Sequence, residues 1–224
     1  VGREILVDVS GWQESVVPWL EASKHPEQKL IGALIKFSQE DFESKAAFRH
    51  ASGAKSAGIP ITGYHYAVPQ KPVRDDAQKE AQRFVQKIRD MAHQGTMIDL
   101  YPFLDLEEGA EADPETGAEK LTDEEMVEWV TIFTDYVCGA LALDKMGIYA
   151  NKRYIKHLVK GRGENLAKHL LWIAGDDAEV PPGIWSKASL WQTPERQLPY
   201  YPEKIDIDIA PDGICPLMIR NTSA

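Results

Sequence analysis

Residues 101–107 read Tyr-Pro-Phe-Leu-Asp-Leu-Glu, which places two carboxylates, Asp105 and Glu107, two positions apart in an apolar run with the character of a buried strand. Side chains alternate across a strand, so this spacing predicts both acids on one face and Leu104 and Leu106 on the other. Burial and mutual repulsion raise the proton affinity of both groups, and such a pair can hold one protonated acid beside one carboxylate near neutral pH. That is equipment for general acid–base chemistry. The same acids could instead cap a helix, bind a structural cation or join an ion-pair network, and the spacing alone leaves both readings open.

The elements that must position the pair follow the pattern of a β/α barrel. Short runs rich in aliphatic and aromatic residues at 5–10, 32–38, 61–68, 101–107, 145–151, 169–175, 188–192 and 205–210 predict eight strands. Helical periodicity appears around 40–57, 73–94, 122–142 and 152–160. Thr122 and Glu125 predict a capping box at the start of the third helix, along which Met126, Trp129, Val130, Phe133 and Val137 recur as packing residues. The last three strands leave little room for helices, so the expected fold is an irregular, flattened α/β barrel of eight strands with an incomplete helical layer on the C-terminal side. Proline-containing segments at 69–72, 113–115, 181–182 and 194–202 predict loops.

In parallel α/β barrels the reacting groups sit at the C-terminal ends of the strands. Those ends present Asp8, with Trp12 and Gln13 just beyond, then Lys36, Tyr64, Tyr66, Asp105, Glu107, Tyr149, Asn151, Trp172, Trp191, Gln192, Asp206 and Asp208. His65 alternates with the two tyrosines and is expected to pack under a helix. Acids, amides and aromatic faces on one rim suit a sugar polymer: rings stack on pyranose faces, and a carboxyl pair can break a glycosidic bond. Tyr149 and Trp172 serve equally as core residues, and Lys36 equally as a counter-ion for the acids or as a substrate contact.

Composition narrows the alternatives. With 224 residues and 43% hydrophobic content the chain is expected to form one catalytic domain over 1–224. Its 25 basic and 35 acidic residues give a net charge of −10, which argues against nucleic acid as the main partner. No apolar stretch has the length of a membrane span, and the first residues lack the regions of a signal peptide. The six histidines form no ligand pair, no glycine-rich phosphate loop appears, and Cys138 and Cys215 are expected to be buried free thiols.

Taken in order, Asp8-Val9-Ser10-Gly11-Trp12-Gln13, Ile35-Lys36, Gly63-Tyr64-His65-Tyr66, Leu104-Asp105-Leu106-Glu107, Ile148-Tyr149, Leu171-Trp172-Ile173-Ala174, Trp191-Gln192 and Ile205-Asp206 resemble the successive motifs of glycoside hydrolase family 25, the Chalaropsis-type lysozymes. The resemblance spans about residues 5–210. It implies an N-acetylmuramidase that cleaves the β-1,4 bond between N-acetylmuramic acid and N-acetylglucosamine, with peptidoglycan glycan strands as partner and no metal or organic cofactor. It implies Glu107 as general acid and Asp105 as its ionised partner, which either orients the substrate's acetamido group or helps to activate water. Asp8 and Asp206 complete the catalytic acids, and Tyr64, Tyr66, Lys36, Tyr149, Trp172, Gln192 and Trp12 contact substrate. A monomer acting at the bacterial wall or in the periplasm, outside the producing cell's cytoplasm, is expected.

The chain departs from that family at Gln39, where an acid is frequent, at Gly175-Asp176-Asp177, where an aromatic is common, and at Asp208, where asparagine is frequent. Two other classes fit some of the residues. A chitinase-like barrel glycosidase suits the Asp-x-Glu pair, although the longer Asp-x-x-Asp-x-Asp-x-Glu signature is absent at 98–107. A non-catalytic wall-binding barrel has no use for a pair that must share protonation states.

Overall fold

Alternation of apolar residues along eight strands gives each strand two faces to bury, and closing the sheet satisfies both: one face fills the barrel and the other lies beneath helices. The computed structural model describes residues 3–11, 17–40, 42–115, 119–175 and 177–219. The strands are β1 (Arg3–Val9), β2 (Gln28–Gln39), β3 (Phe42–Glu43), β4 (Ile61–Tyr66), β5 (Phe103–Asp105), β6 (Gly147–Asn151), β7 (Leu170–Ala174), β8 (Leu190–Gln197) and β9 (Lys204–Ile209). Their order is β1-β9-β8-β7-β6-β5-β4-β2, and β1 pairs with β2 to close the ring, leaving β3 as an extra strand on β2.

Helices α1 (Trp19–Ala22), α2 (Ala47–Ser56), α3 (Val73–His93), α4 (Asp123–Leu141) and α5 (Lys152–Lys160) accompany the first six strands. Among the described residues no helix joins β7 to β8 or β8 to β9, so the helical layer is incomplete on that side, as expected. The capping box forms: the Thr122 hydroxyl accepts from the Glu125 N–H at 3.1 Å, and the Glu125 carboxylate accepts from the Thr122 N–H at 2.8 Å. Trp129 and Phe133 of α4 are fully buried against Phe84 of α3 and the outer barrel face. Inside the barrel Leu6, Leu34, Phe103, Trp172 and Leu190 form a second cluster. Phe103 fits there because its neighbour on β6 is Gly147, where a Cβ would lie 2.0 Å from the ring.

Several expectations need correction. The eighth barrel strand, β9, runs antiparallel to both β1 and β8. Only residues 198–203 connect it to β8, too few for a crossover, which takes a dozen or more residues. Strand β5 stops at Asp105 and does not reach Glu107. Pro194 lies within β8, at the irregularity between Thr193 and Arg196 where the ladder with β9 shifts register. Strand β3 and the short α1 were not foreseen, and Cys215 is exposed while Cys138 is buried; both are free.

Candidate active site

The site is built on the rim where β1, β2, β4, β5 and β6 end. Asp8, near the end of β1, stands directly opposite Asp206 in the antiparallel pair with β9. Because β9 is antiparallel, its early residue Asp206 reaches the rim and Asp208 falls one layer deeper in the barrel. Like charges directly across a ladder repel, and the cleft removes water from both. Burial, then the Asp206 charge, pushes the Asp8 carboxyl up to about 7, against a hydrogen bond from Tyr64 and the Lys36 ammonium. Burial followed by Glu195 pushes Asp206 up to about 6.

Asp105 closes β5 between Tyr66 on β4 and Tyr149 on β6. Past the strand, the Leu106 N–H still donates to the Tyr149 carbonyl at 3.0 Å, holding this part of the chain against β6. Glu107 and Asp105 lie within side-chain hydrogen-bonding reach of each other, and this contact lowers the Glu107 proton affinity. Asp105 is only 6% exposed, and its Oδ1 has no partner within the protein. Burial, then the charges of Glu107 and Asp8, holds the Asp105 carboxyl well above the carboxylate range. Glu107, less enclosed, is raised by burial and then by Glu108, against Lys36.

A polar frame fixes these acids. The Tyr149 hydroxyl donates to Gln192 Oε1 at 2.6 Å, and Gln192 Nε2 donates to Asp8 Oδ2 at 3.3 Å. The Tyr66 hydroxyl donates to Glu108 at 2.8 Å, and its ring lies 4.3 Å beneath Lys36 Nζ. Lys36 Nζ also donates to Gln39 Oε1 at 2.5 Å, so Gln39 holds the lysine from the rim. Burial lowers the Lys36 proton affinity, and Asp105, Asp8 and Glu107 oppose that shift.

Asp8, Lys36, Tyr64, Tyr66, Asp105, Glu107, Tyr149, Gln192 and Asp206 therefore line one cavity of about 220 Å³ together with Ser10. Trp172 does not line it. Its indole is 1% exposed and forms the floor, with the Tyr149 ring centroid 4.5 Å away and that of Tyr64 at 6.0 Å. Below, Trp172 Nε1 donates to Asp208 Oδ1 at 2.8 Å, and burial followed by Asp8 holds Asp208 well above the carboxylate range. Trp12 and Gln13 lie outside the described residues. Asn151 caps α5, accepting from the Arg153 N–H at 2.9 Å, and the Trp191 indole donates to the Gly175 carbonyl at 3.0 Å. His65 packs under α3 and α4 as expected, with Nε2 2.6 Å from Glu80 and the ring stacked on Phe133. Ser10 and Glu108 were missed, although Ser10 shares the Asp8 face of the chain and Glu108 adjoins Glu107.

This crowding has a stability consequence. A carboxyl whose folded proton affinity is raised contributes stability below its unfolded value, near 3.8, and loses it as pH rises through the folded value. For Asp8 that window runs from about 4 to about 7. Asp8→Asn should therefore raise unfolding free energy at pH 7.5 by on the order of 2 kcal/mol and leave it nearly unchanged at pH 4. Urea denaturation at the two pH values measures this, and equal effects at both would contradict the electrostatic account.

Comparison with known proteins agrees with this geometry. The family model for glycosyl hydrolases family 25 matches residues 7–198. No curated protein matches the chain. Among solved structures, the Clostridium perfringens spore cortex lytic enzyme SleM is 24% identical with a TM-score of 0.79, covering 95% of this chain and 68% of SleM. The Streptomyces coelicolor lysozyme is 20% identical with a TM-score of 0.74, covering 97% and 95%. A muramidase from Acremonium alcalophilum is 22% identical with a TM-score of 0.68, covering 93% of each chain. These likenesses establish the barrel, and the match of the family model across most of the chain establishes more: the protein belongs to glycosyl hydrolases family 25 and is a glycoside hydrolase.

Proposed function

We propose that the protein is a peptidoglycan hydrolase of the N-acetylmuramidase type, cleaving the β-1,4 bond from N-acetylmuramic acid to N-acetylglucosamine outside the producing cell's cytoplasm. The observation that carries this reading is the convergence of Asp105 and Glu107 in one cavity that Asp8 and Asp206 enter from neighbouring strands. Glu107 is the donor because it is the less enclosed member of the pair, so its proton can reach a glycosidic oxygen in the cleft. Asp105 is the buried partner left ionised by that transfer. Orientation of the substrate's 2-acetamido group and activation of water both suit a carboxylate placed beside Glu107 in this cavity. Tyr64, Tyr149 and Gln192 hold Asp8 in place, and Lys36 offsets part of the negative charge.

Mass spectrometry of fragments released from purified peptidoglycan tests the assignment. Reducing N-acetylmuramic acid ends are expected. Reducing N-acetylglucosamine ends would replace the muramidase with a glucosaminidase. No fragments from peptidoglycan but release of reducing ends from chitin would favour a chitinase-like enzyme.

A further inference from the structure

A second cavity, of about 430 Å³, adjoins the acid pocket and shares Lys36 with it. Its walls are Gly11, the end of β2, the β2–β3 hairpin and the segment leading into α2. The lining differs in kind from that of the acid pocket. No carboxylate lines it among the described residues; Ser38, Gln39 and Ser44 supply polar atoms, Phe42 is 59% exposed, and Lys36 and Lys45 supply cations. Lys36 is committed to Gln39 and the acids. Lys45 is exposed and has no carboxylate partner among the described residues, so in a chain of net charge −10 the groove offers one available cation beside an apolar ring.

We propose that this groove receives the peptide branch of the glycan, with Lys45 pairing a branch carboxylate and Phe42 covering its alanine methyl groups. The inference rests on the peptidoglycan reading of the acid pocket and extends it. Because the two cavities share Lys36, a ligand in the acid pocket can extend into the groove. The glycan backbone is uncharged, and its recognition calls for amides, acids and stacked rings, which the acid pocket supplies. An apolar and cationic lining is complementary to the part of the polymer that carries carboxylates and methyl groups, and that part is the peptide attached through the lactyl ether. A glycan lying along the rim must turn each such branch sideways, and the groove is where one can leave.

The experiment compares two substrates, intact peptidoglycan and the same glycan after an amidase has removed its peptides and the freed lactyl carboxylates have been blocked as methylamides, for the parent protein, Lys45→Ala and Lys45→Glu. Loss of an exposed ion pair should lower the ratio of kcat/KM on intact over stripped substrate by about threefold in Lys45→Ala. Reversing the charge should lower the ratio by about tenfold in Lys45→Glu. Both effects are expected in KM rather than kcat, because the contact lies away from the bond that breaks. An unchanged ratio in both variants, with the parent active on both substrates, overturns the groove's role and leaves the hydrolase reading standing. A parent that releases reducing ends from neither substrate overturns the hydrolase reading and this inference with it.

Discussion

Glu107→Gln is expected to lower the release of reducing ends from peptidoglycan by about 10³-fold or more while leaving wall binding within a fewfold of the parent. The amide matches the carboxyl in shape and can keep the hydrogen bond to Asp105. What it cannot do is deliver a proton to the leaving oxygen. The separation of the two effects depends on the surrounding frame, since Lys36, Tyr66, Tyr149 and Gln192 are held by bonds that do not involve Glu107. The replacement also removes a carboxylate that raises the proton affinity of Asp105 and Asp8, so the fold should be retained and should gain stability near neutral pH. Cosedimentation with purified wall measures binding, and a reducing-end assay measures turnover. Undiminished turnover would remove Glu107 from its role, whereas loss of turnover together with binding would mean that the substitution had disturbed the site as a whole.

The parts of this site that were legible in the sequence are those governed by the two-residue period of a strand. Asp8 and Lys36 were read from strand ends and Tyr64 and Tyr66 from alternation, and the structure brings them to one cavity while His65 turns outward beneath α3 and α4. The period also led the reading astray. Asp105 and Glu107 were placed on one strand face, but β5 ends at Asp105, and Glu107 reaches the same cavity from beyond the strand. Rim position does not distinguish an exposed tryptophan from a buried one, because that depends on what lies beneath. Tyr64 and Tyr149 pack against Trp172 in T-shaped contacts, and the indole became floor instead of wall.

Strand direction carried the largest error. Taking β9 as parallel put both Asp206 and Asp208 at its rim end. The structure extends β8 to Gln197, and the connection left at 198–203 requires an antiparallel return, which puts Asp206 at the rim and Asp208 in the interior. What the sequence could not supply was the pairing of Asp8 with Asp206, since register across a closed barrel depends on the stagger of all eight strands. Burial, then that pairing, drives Asp8 toward 7. The electrostatic character of the site is thus a product of closure, not of any single motif.

Asp105→Asn is expected to lower kcat more than about 100-fold, a loss of the size that removal of acid–base assistance produces. Asparagine fills the same buried space and can still bond Glu107, so the effect isolates the charge. The contact with Asp105 lowers the Glu107 proton affinity, against the burial and the Glu108 charge that raise it, and an asparagine N–H can supply the same bond. The alkaline limb of the pH–rate profile set by Glu107 should therefore stay in place while the plateau falls. A loss of only a fewfold would reduce Asp105 to a bystander and leave Asp8 and Asp206 as the carboxylates to test next.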